Sequence, residues 1–149
     1  MDAIRPTHVE SIPACSRKTL RRYRRMGKVE GMPVVKANAY GHGIVECAPH
    51  LVKQGATCWA CALEEAVMLR QAGIAVLILV LAVRRRGDPA SITHGLMMTA
   101  SSIDKLREID EAAAAAKSRA RVALENRHAS GWSGSACIVI ALRKAAGGL

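Results

Sequence analysis

The 149-residue chain is half apolar, which suits one modest domain, and with 2 Trp, 2 Tyr and no Phe its core must be aliphatic and alanine-rich. Its longest apolar run, residues 74–83, is about half of the ~20 residues a membrane-spanning helix needs, Met1-Asp2-Ala3-Ile4-Arg5-Pro6 lacks the apolar core of a signal peptide, and five scattered cysteines make no disulfide framework. A membrane protein and a disulfide-stapled secreted domain are therefore not expected, and the cytoplasm is the expected location.

The formal net charge of +10 invites a nucleic-acid reading, and much of it sits in residues 17–25 and in Arg84-Arg85-Arg86. Within residues 17–25, Leu20 and Tyr23 keep an apolar stripe while the arginines face outward, the pattern of a solvated helix. No zinc-finger spacing or aromatic RNA-binding motif accompanies the charge, so no nucleic-acid partner is expected.

Further along, residues 32–37 form a short apolar run closed by Lys36. Ile44, Cys47, Ala48, Leu51 and Val52 then recur at helical spacing, with Gly55 as a stop and Pro49 as an internal obstacle that should kink or shift the helix. Residues 57–61 read as a strand, and residues 63–72 as a helix with Glu64 and Glu65 in its first turn and Gly73 at its end. Residues 76–81, rich in Val, Ile and Leu, read as a strand buried on both faces. After a turn at Gly87-Asp88-Pro89, residues 96–99 form a further strand, and Ser101 or Ser102 caps a helix with Ile103, Leu106 and Ile109 on one stripe, ending in residues 112–116. Strands and helices that alternate over short connections build a parallel sheet from βαβ units. Periodicity leaves open whether that sheet is doubly wound or a barrel. No dinucleotide fingerprint or P-loop follows any strand.

Lys36 closes the run Met32-Pro33-Val34-Val35, so it should stand at the C-terminal end of a strand, where barrel enzymes keep their reacting groups. Partial desolvation there favours a neutral, imine-forming amine. Tyr40 offers a hydroxyl to an anion, and Gly41 and Gly43 let the backbone approach it. The residues alone equally allow a lysine snorkelling from a strand end beside an ordinary glycine-rich turn.

The segment Val34-Val35-Lys36-Ala37-Asn38-Ala39-Tyr40-Gly41-His42-Gly43 closely resembles the cofactor-lysine motif of the alanine racemases. Arg5-Pro6-Thr7-His8-Val9-Glu10 resembles the start of that family. Gly55-Ala56, Leu63-Glu64-Glu65-Ala66, Leu69-Arg70, Ala72-Gly73-Ile74 and Ile78-Leu79-Val80-Leu81 resemble its next two βα units, and the likeness covers roughly residues 4–122. The resemblance implies an α/β fold: the N-terminal half of a (β/α)8 TIM-type barrel, as in fold-type III pyridoxal-phosphate enzymes. It also implies pyridoxal 5'-phosphate as cofactor, interconversion of L- and D-alanine for cell-wall synthesis, and a homodimer. Lys36 would carry the cofactor and act as the base on the D-alanine face, Tyr40 would bond its phosphate, and Leu81 would line its wall; His42 would be structural. A second acid/base group is needed for inversion, and in the family it is a tyrosine of the partner subunit's C-terminal half, for which this chain has no corresponding segment.

Past Val122 the family pattern His-Leu-Lys-Ile-Asp-Thr-Gly-Met is replaced by Ala123-Leu124-Glu125-Asn126-Arg127-His128. Those six residues can be encoded by GCA CTT GAA AAT CGA CAC, which one base later reads His-Leu-Lys-Ile-Asp and the start of a Thr codon. Residues 131–136 can be written GGA TGG AGC GGA TCG GC, which from the last base of the first codon reads Met-Glu-Arg-Ile-Gly. The expectation is a racemase-like segment over residues 1–122 and a tail over residues 123–149 that is out of frame, with weak or no pyridoxal phosphate binding and no racemase activity from this chain alone. A weaker departure lies at Glu10-Ser11-Ile12-Pro13, where the family has Glu-Ile-Asp-Leu. Two other readings stand: a fragment that only binds the cofactor, and a redox protein using Cys58-Trp59-Ala60-Cys61, a CxxC pattern just before a helix. No second Cys pair supplies a metal site, so none is expected.

Overall fold

A computed structural model describes residues 21–22, 32–81, 89–124 and 138–141. Residues 5–10, the arginines at 84–86 and the segment 125–137 lie outside the described residues. Of the basic stretch 17–25, Arg21 and Arg22 are described; both are helical and exposed, as a solvated face requires, and Arg21 Nε donates to Gln54 Oε1 at 2.5 Å.

Among the described residues five strands form one sheet in the order of the chain: β1 (Cys58–Cys61), β2 (Leu77–Val80), β3 (Met97–Ala100), β4 (Arg121–Leu124) and β5 (Ile138–Ala141). The first four are parallel, with Ala60 beside Leu79 and Met97 beside Arg121, and β5 runs antiparallel to β4. Before β1, Val34 makes a single parallel bridge to Ala60; Ala60 N donates to Pro33 O and Val35 N to Ala60 O. The expected first strand is thus only a short edge, with Val35 buried and Val34 42% exposed.

Among the described residues, the helices between and beside these strands are α1 (Ile44–Lys53), α2 (Leu63–Gln71), α3 (Pro89–Thr93) and α4 (Ile103–Ala115). In α1 Ile44, Cys47, Ala48 and Leu51 bury one face as expected, whereas Val52, expected with them, is 41% exposed. The helix nevertheless continues through Pro49. Pro49 and Val45 lie on the exposed side, where water can take the Val45 carbonyl that a proline cannot serve. Ser102 caps α4 by accepting from Lys105 N at 3.2 Å. Its buried stripe runs through Leu106, Ile109 and Ala113, whereas Ile103, expected on that stripe, is 69% exposed.

Alternation along the strands decides the architecture. Trp59, Cys61, Ile78 and Val80 pack with Ile44, Cys47, Leu51, Ala66 and Leu69 of α1 and α2. Met98, Ala100 and Val122 pack with Ile92, Ile109 and Ala113 of α3 and α4. The residues between them, Ala60, Leu79, Met97 and Ala123, form a separate buried cluster of strand residues alone, joined by Cys58, Leu77 and Leu81. Helices on one face and sequential parallel strands are the winding of a barrel, because a doubly wound sheet reverses its strand order and carries helices on both faces. The sheet is a partial α/β barrel.

Candidate active site

The parallel strands all end on the same side of the sheet, and the residues expected to carry chemistry lie there. Val35 leaves strand geometry (φ −119°, ψ 19°), and Lys36 follows it, half-buried. The next four residues turn left-handed: Ala37, Asn38, Ala39 and Tyr40 have φ between 53° and 55°. For an L-residue this conformation costs about 1–2 kcal/mol, with Asn the most tolerant, so Ala37, Ala39 and Tyr40 together store roughly 3 kcal/mol or more. Backbone bonds close the turn: Ala39 N donates to Val35 O at 2.8 Å, Gly41 N to Ala37 O at 2.9 Å and Gly43 N to Asn38 O at 3.0 Å. Gly43 (φ 85°) has a left-handed backbone that other residues adopt only under strain, and a Cβ there would also push the flexible Glu46 carboxylate aside.

Side chains lock the turn further. Asn38 Oδ1 accepts from Ile44 N at 2.8 Å and so joins the turn to the start of α1. Glu65, in the first turn of α2, accepts from Asn38 N through Oε1 at 2.6 Å and from Ala62 N through Oε2 at 3.0 Å. The turn after the edge strand is thereby tied to the loop after β1. In the sequence Glu65 stands out only as a match to the helix dipole, and Asn38 carries no assigned role. The available signals were an acid three residues into a helix, able to reach back to the cap, and an Asn, the residue besides Gly most at ease in left-handed turns.

Tyr40 is 59% exposed at the end of the turn, so its phenol is open to a ligand. Leu81 follows β2 at the same end of the sheet. It packs with Leu79 and Met97 on the face opposite the helices, and its N–H donates to Cys61 O at 3.1 Å. Lys36 and Tyr40 share one turn. Leu81 stands two strand positions from the edge strand, about 10 Å across the sheet by ordinary strand spacing. His42 is exposed, and its carbonyl lies 3.6 Å from Cys47 Sγ.

The cysteine pair is not a redox site. Cys58 and Cys61 lie three residues apart within a strand, which puts them about 10 Å apart and on opposite faces, too far for a disulfide. Burial first, and the Glu65 carboxylate second, push the Cys61 thiol up to about 12, against a smaller opposing effect of Arg70. Such a thiol is inert at neutral pH.

The family model for the N-terminal domain of alanine racemase matches residues 15–129. The chain belongs to the alanine racemase family. Alanine racemase of Carboxydothermus hydrogenoformans is 44% identical over 80 residues, which are 52% of this chain and 22% of that protein. Alanine racemase 2 of Bacillus subtilis is 39% identical over 99 residues, 64% of this chain and 25% of that one. Among solved structures, alanine racemase from Streptomyces coelicolor superposes with a TM-score of 0.71 at 32% identity, covering 85% of this chain and 34% of its own. A histidine racemase from Leuconostoc mesenteroides superposes with a TM-score of 0.67 at 26% identity, covering 74% of this chain and 30% of its own. The chain thus spans about a quarter of the length of the curated racemases it matches. Its parallel sheet with alternating helices is the front of the racemase barrel, and no helix among the described residues is long and apolar enough to cross a membrane.

Proposed function

We propose that this chain is the cofactor-lysine portion of a pyridoxal-phosphate-dependent amino-acid racemase acting on alanine, with Lys36 as the residue that carries the cofactor. The observation that supports this reading is the position of Lys36: at the end of the edge strand, immediately before a strained and heavily bonded turn that leaves Tyr40 open. The donor set suits the cofactor. The Lys36 amine would hold its aldehyde, the Tyr40 phenol would bond its phosphate, and the Leu81 side chain would offer an apolar wall to its ring. When bound, the cofactor supplies an electron sink that makes the substrate Cα proton removable. Lys36 Nζ would take or return that proton on one face, with Tyr40 holding the anionic end and Leu81 lining the ring.

Inversion requires a second acid/base group on the other face. We assign it to a tyrosine of a partner subunit in a homodimer, a residue for which this stretch has no counterpart. The 149 residues alone are therefore expected not to interconvert L- and D-alanine, and measurable interconversion would refute that. That an alanine and a histidine racemase share this part of the barrel supports placing substrate choice elsewhere in the protein. Cytoplasmic location is part of the same proposal.

The test is borohydride reduction of the chain with pyridoxal phosphate, followed by peptide mapping. A stable adduct on Lys36 that disappears in Lys36→Ala is expected; an adduct spread over surface lysines, or none, overturns the assignment.

A further inference from the structure

We infer that Glu65, with Asn38, is a positioning residue for the Lys36 turn: its carboxylate holds the left-handed backbone that fixes Lys36 relative to Tyr40. The inference rests on the reading of Lys36 and Tyr40 just given and goes beyond it to residues that touch neither cofactor nor substrate.

An acid at this helix position ordinarily serves its own cap with one oxygen. Glu65 does that with Oε2 on Ala62 N and uses Oε1 on Asn38 N, a residue 27 positions earlier in the chain. The second bond is the shorter of the two, and it joins two connections at the strand ends rather than two parts of one helix. Its acceptor is a carboxyl oxygen of a side chain and its donor a backbone N–H, a pairing of the strong class. The group it holds needs holding: four consecutive non-glycine residues sit at φ 53–55°, a conformation that persists only where the surroundings over-determine it. Asn38 completes the arrangement. Its N–H goes to Glu65, its carbonyl accepts from Gly43 N at 3.0 Å, and its Oδ1 accepts from Ile44 N at 2.8 Å. Every polar group of Asn38 named here points to a different part of the site's frame. Without Glu65 the turn loses its tie to the β1 end of the sheet, and Ala37, Ala39 and Tyr40 can relax toward right-handed or extended backbone. Either change alters the backbone path between Lys36 and Tyr40.

The experiment compares the 149-residue chain with Glu65→Ala, Glu65→Gln, Asn38→Ala and, as a control for general destabilisation, Leu69→Ala, a fully buried residue on the same helix. Two readouts are taken: amide hydrogen exchange over residues 37–44, and the dissociation constant of pyridoxal phosphate, with borohydride trapping on Lys36. Glu65→Ala and Asn38→Ala are expected to speed exchange of the turn and to weaken cofactor binding, each by at least about tenfold, the equivalent of ~1.4 kcal/mol. Glu65→Gln, which keeps one acceptor but turns an NH2 group toward the other N–H, falls between. Leu69→Ala lowers the melting temperature while leaving both readouts of the folded protein within about twofold. Unchanged exchange and affinity in Glu65→Ala and Glu65→Gln overturn the inference, as does a Leu69→Ala effect of the same size. Faster exchange in a chain whose wild type takes up no pyridoxal phosphate on Lys36 supports the latch and refutes the cofactor reading, so the two fail separately.

Discussion

Replacing Arg70 tests the architecture at the opposite end of the sheet. Arg70, in the last turn of α2, donates from Nε to His94 O at 3.0 Å and from Nη1 to Ile74 O at 2.7 Å and Val76 O at 2.9 Å. One guanidinium thus serves three carbonyls of the segments leading into β2 and β3. Burial pulls its pKa down, with the Cys61 thiol opposing that and Arg121 adding to it, yet the group stays charged at any pH of interest. Hydrogen bonds to charged groups contribute about 1.5–3 kcal/mol each when well buried; for this half-buried group ~1 kcal/mol each is the fitting scale, about 3 kcal/mol in all. Arg70→Ala should therefore lower the unfolding free energy by about 3 kcal/mol and the melting temperature by roughly 6–12 °C. Arg70→Lys, a point charge able to reach about one of the three carbonyls, should recover roughly a third of the loss. Urea unfolding followed by far-UV circular dichroism gives both numbers. A loss below about 0.5 kcal/mol for Arg70→Ala, the range of ordinary surface substitutions, would show that the three carbonyls are as well served by water and would refute the reasoning.

The Cys61 thiol supplies an alkaline signature. It stays protonated in the fold to about 12 but ionises near 9 in the unfolded chain, so its stabilising contribution is whole below pH 9 and is lost as pH rises toward 12. Urea midpoints measured across that window should fall more steeply for the wild type than for Cys61→Ala, and equal slopes would contradict the shift. Ser102→Ala removes the cap of α4 and should cost about 1 kcal/mol in the same assay; no loss would mean that the Lys105 N–H is equally well hydrated. Sequencing the gene past codon 122 should show racemase codons in another frame, first one base on and then two; an intact frame without them ends that reading.

The parts of the fold legible in the sequence are those that short-range periodicity encodes. Ile44, Cys47, Ala48 and Leu51 announce α1, the run at residues 76–81 announces a strand buried on both faces, and the pair Ser101-Ser102 announces the start of α4, with Ser102 the cap in the fold. Helix α3 went unseen because Pro89–Thr93 is a single turn, too short to show a period. Ile103 departs from its expected stripe because it lies in the first turn of α4, ahead of where the helix meets the sheet; spacing marks a stripe but not where contact begins. The choice between a barrel and a doubly wound sheet depends on strand order, which spacing does not carry. At the site, Lys36 and Tyr40 were legible through the motif they share. Glu65 was not, because its partner is 27 residues away and only the folded chain brings the two together.

Helix α2 explains why this segment can hold a strained turn and remain ordered. Its first turn faces the C-terminal ends of the strands, where Glu65 ties down the backbone beside Lys36. Its last turn faces their N-terminal ends, where Arg70 gathers the carbonyls that precede β2 and β3. Between them Ala66 and Leu69, both fully buried, pack the helix against Trp59, Cys61, Ile78 and Val80. Strain of a few kcal/mol in the Lys36 turn is tolerable only if the element that restrains it does not itself give way. A helix anchored at its far end by three backbone acceptors meets that condition. The division follows the general plan of α/β barrels, with chemistry at the C-terminal face of the strands and stability at the N-terminal face. In this chain one nine-residue helix serves both ends.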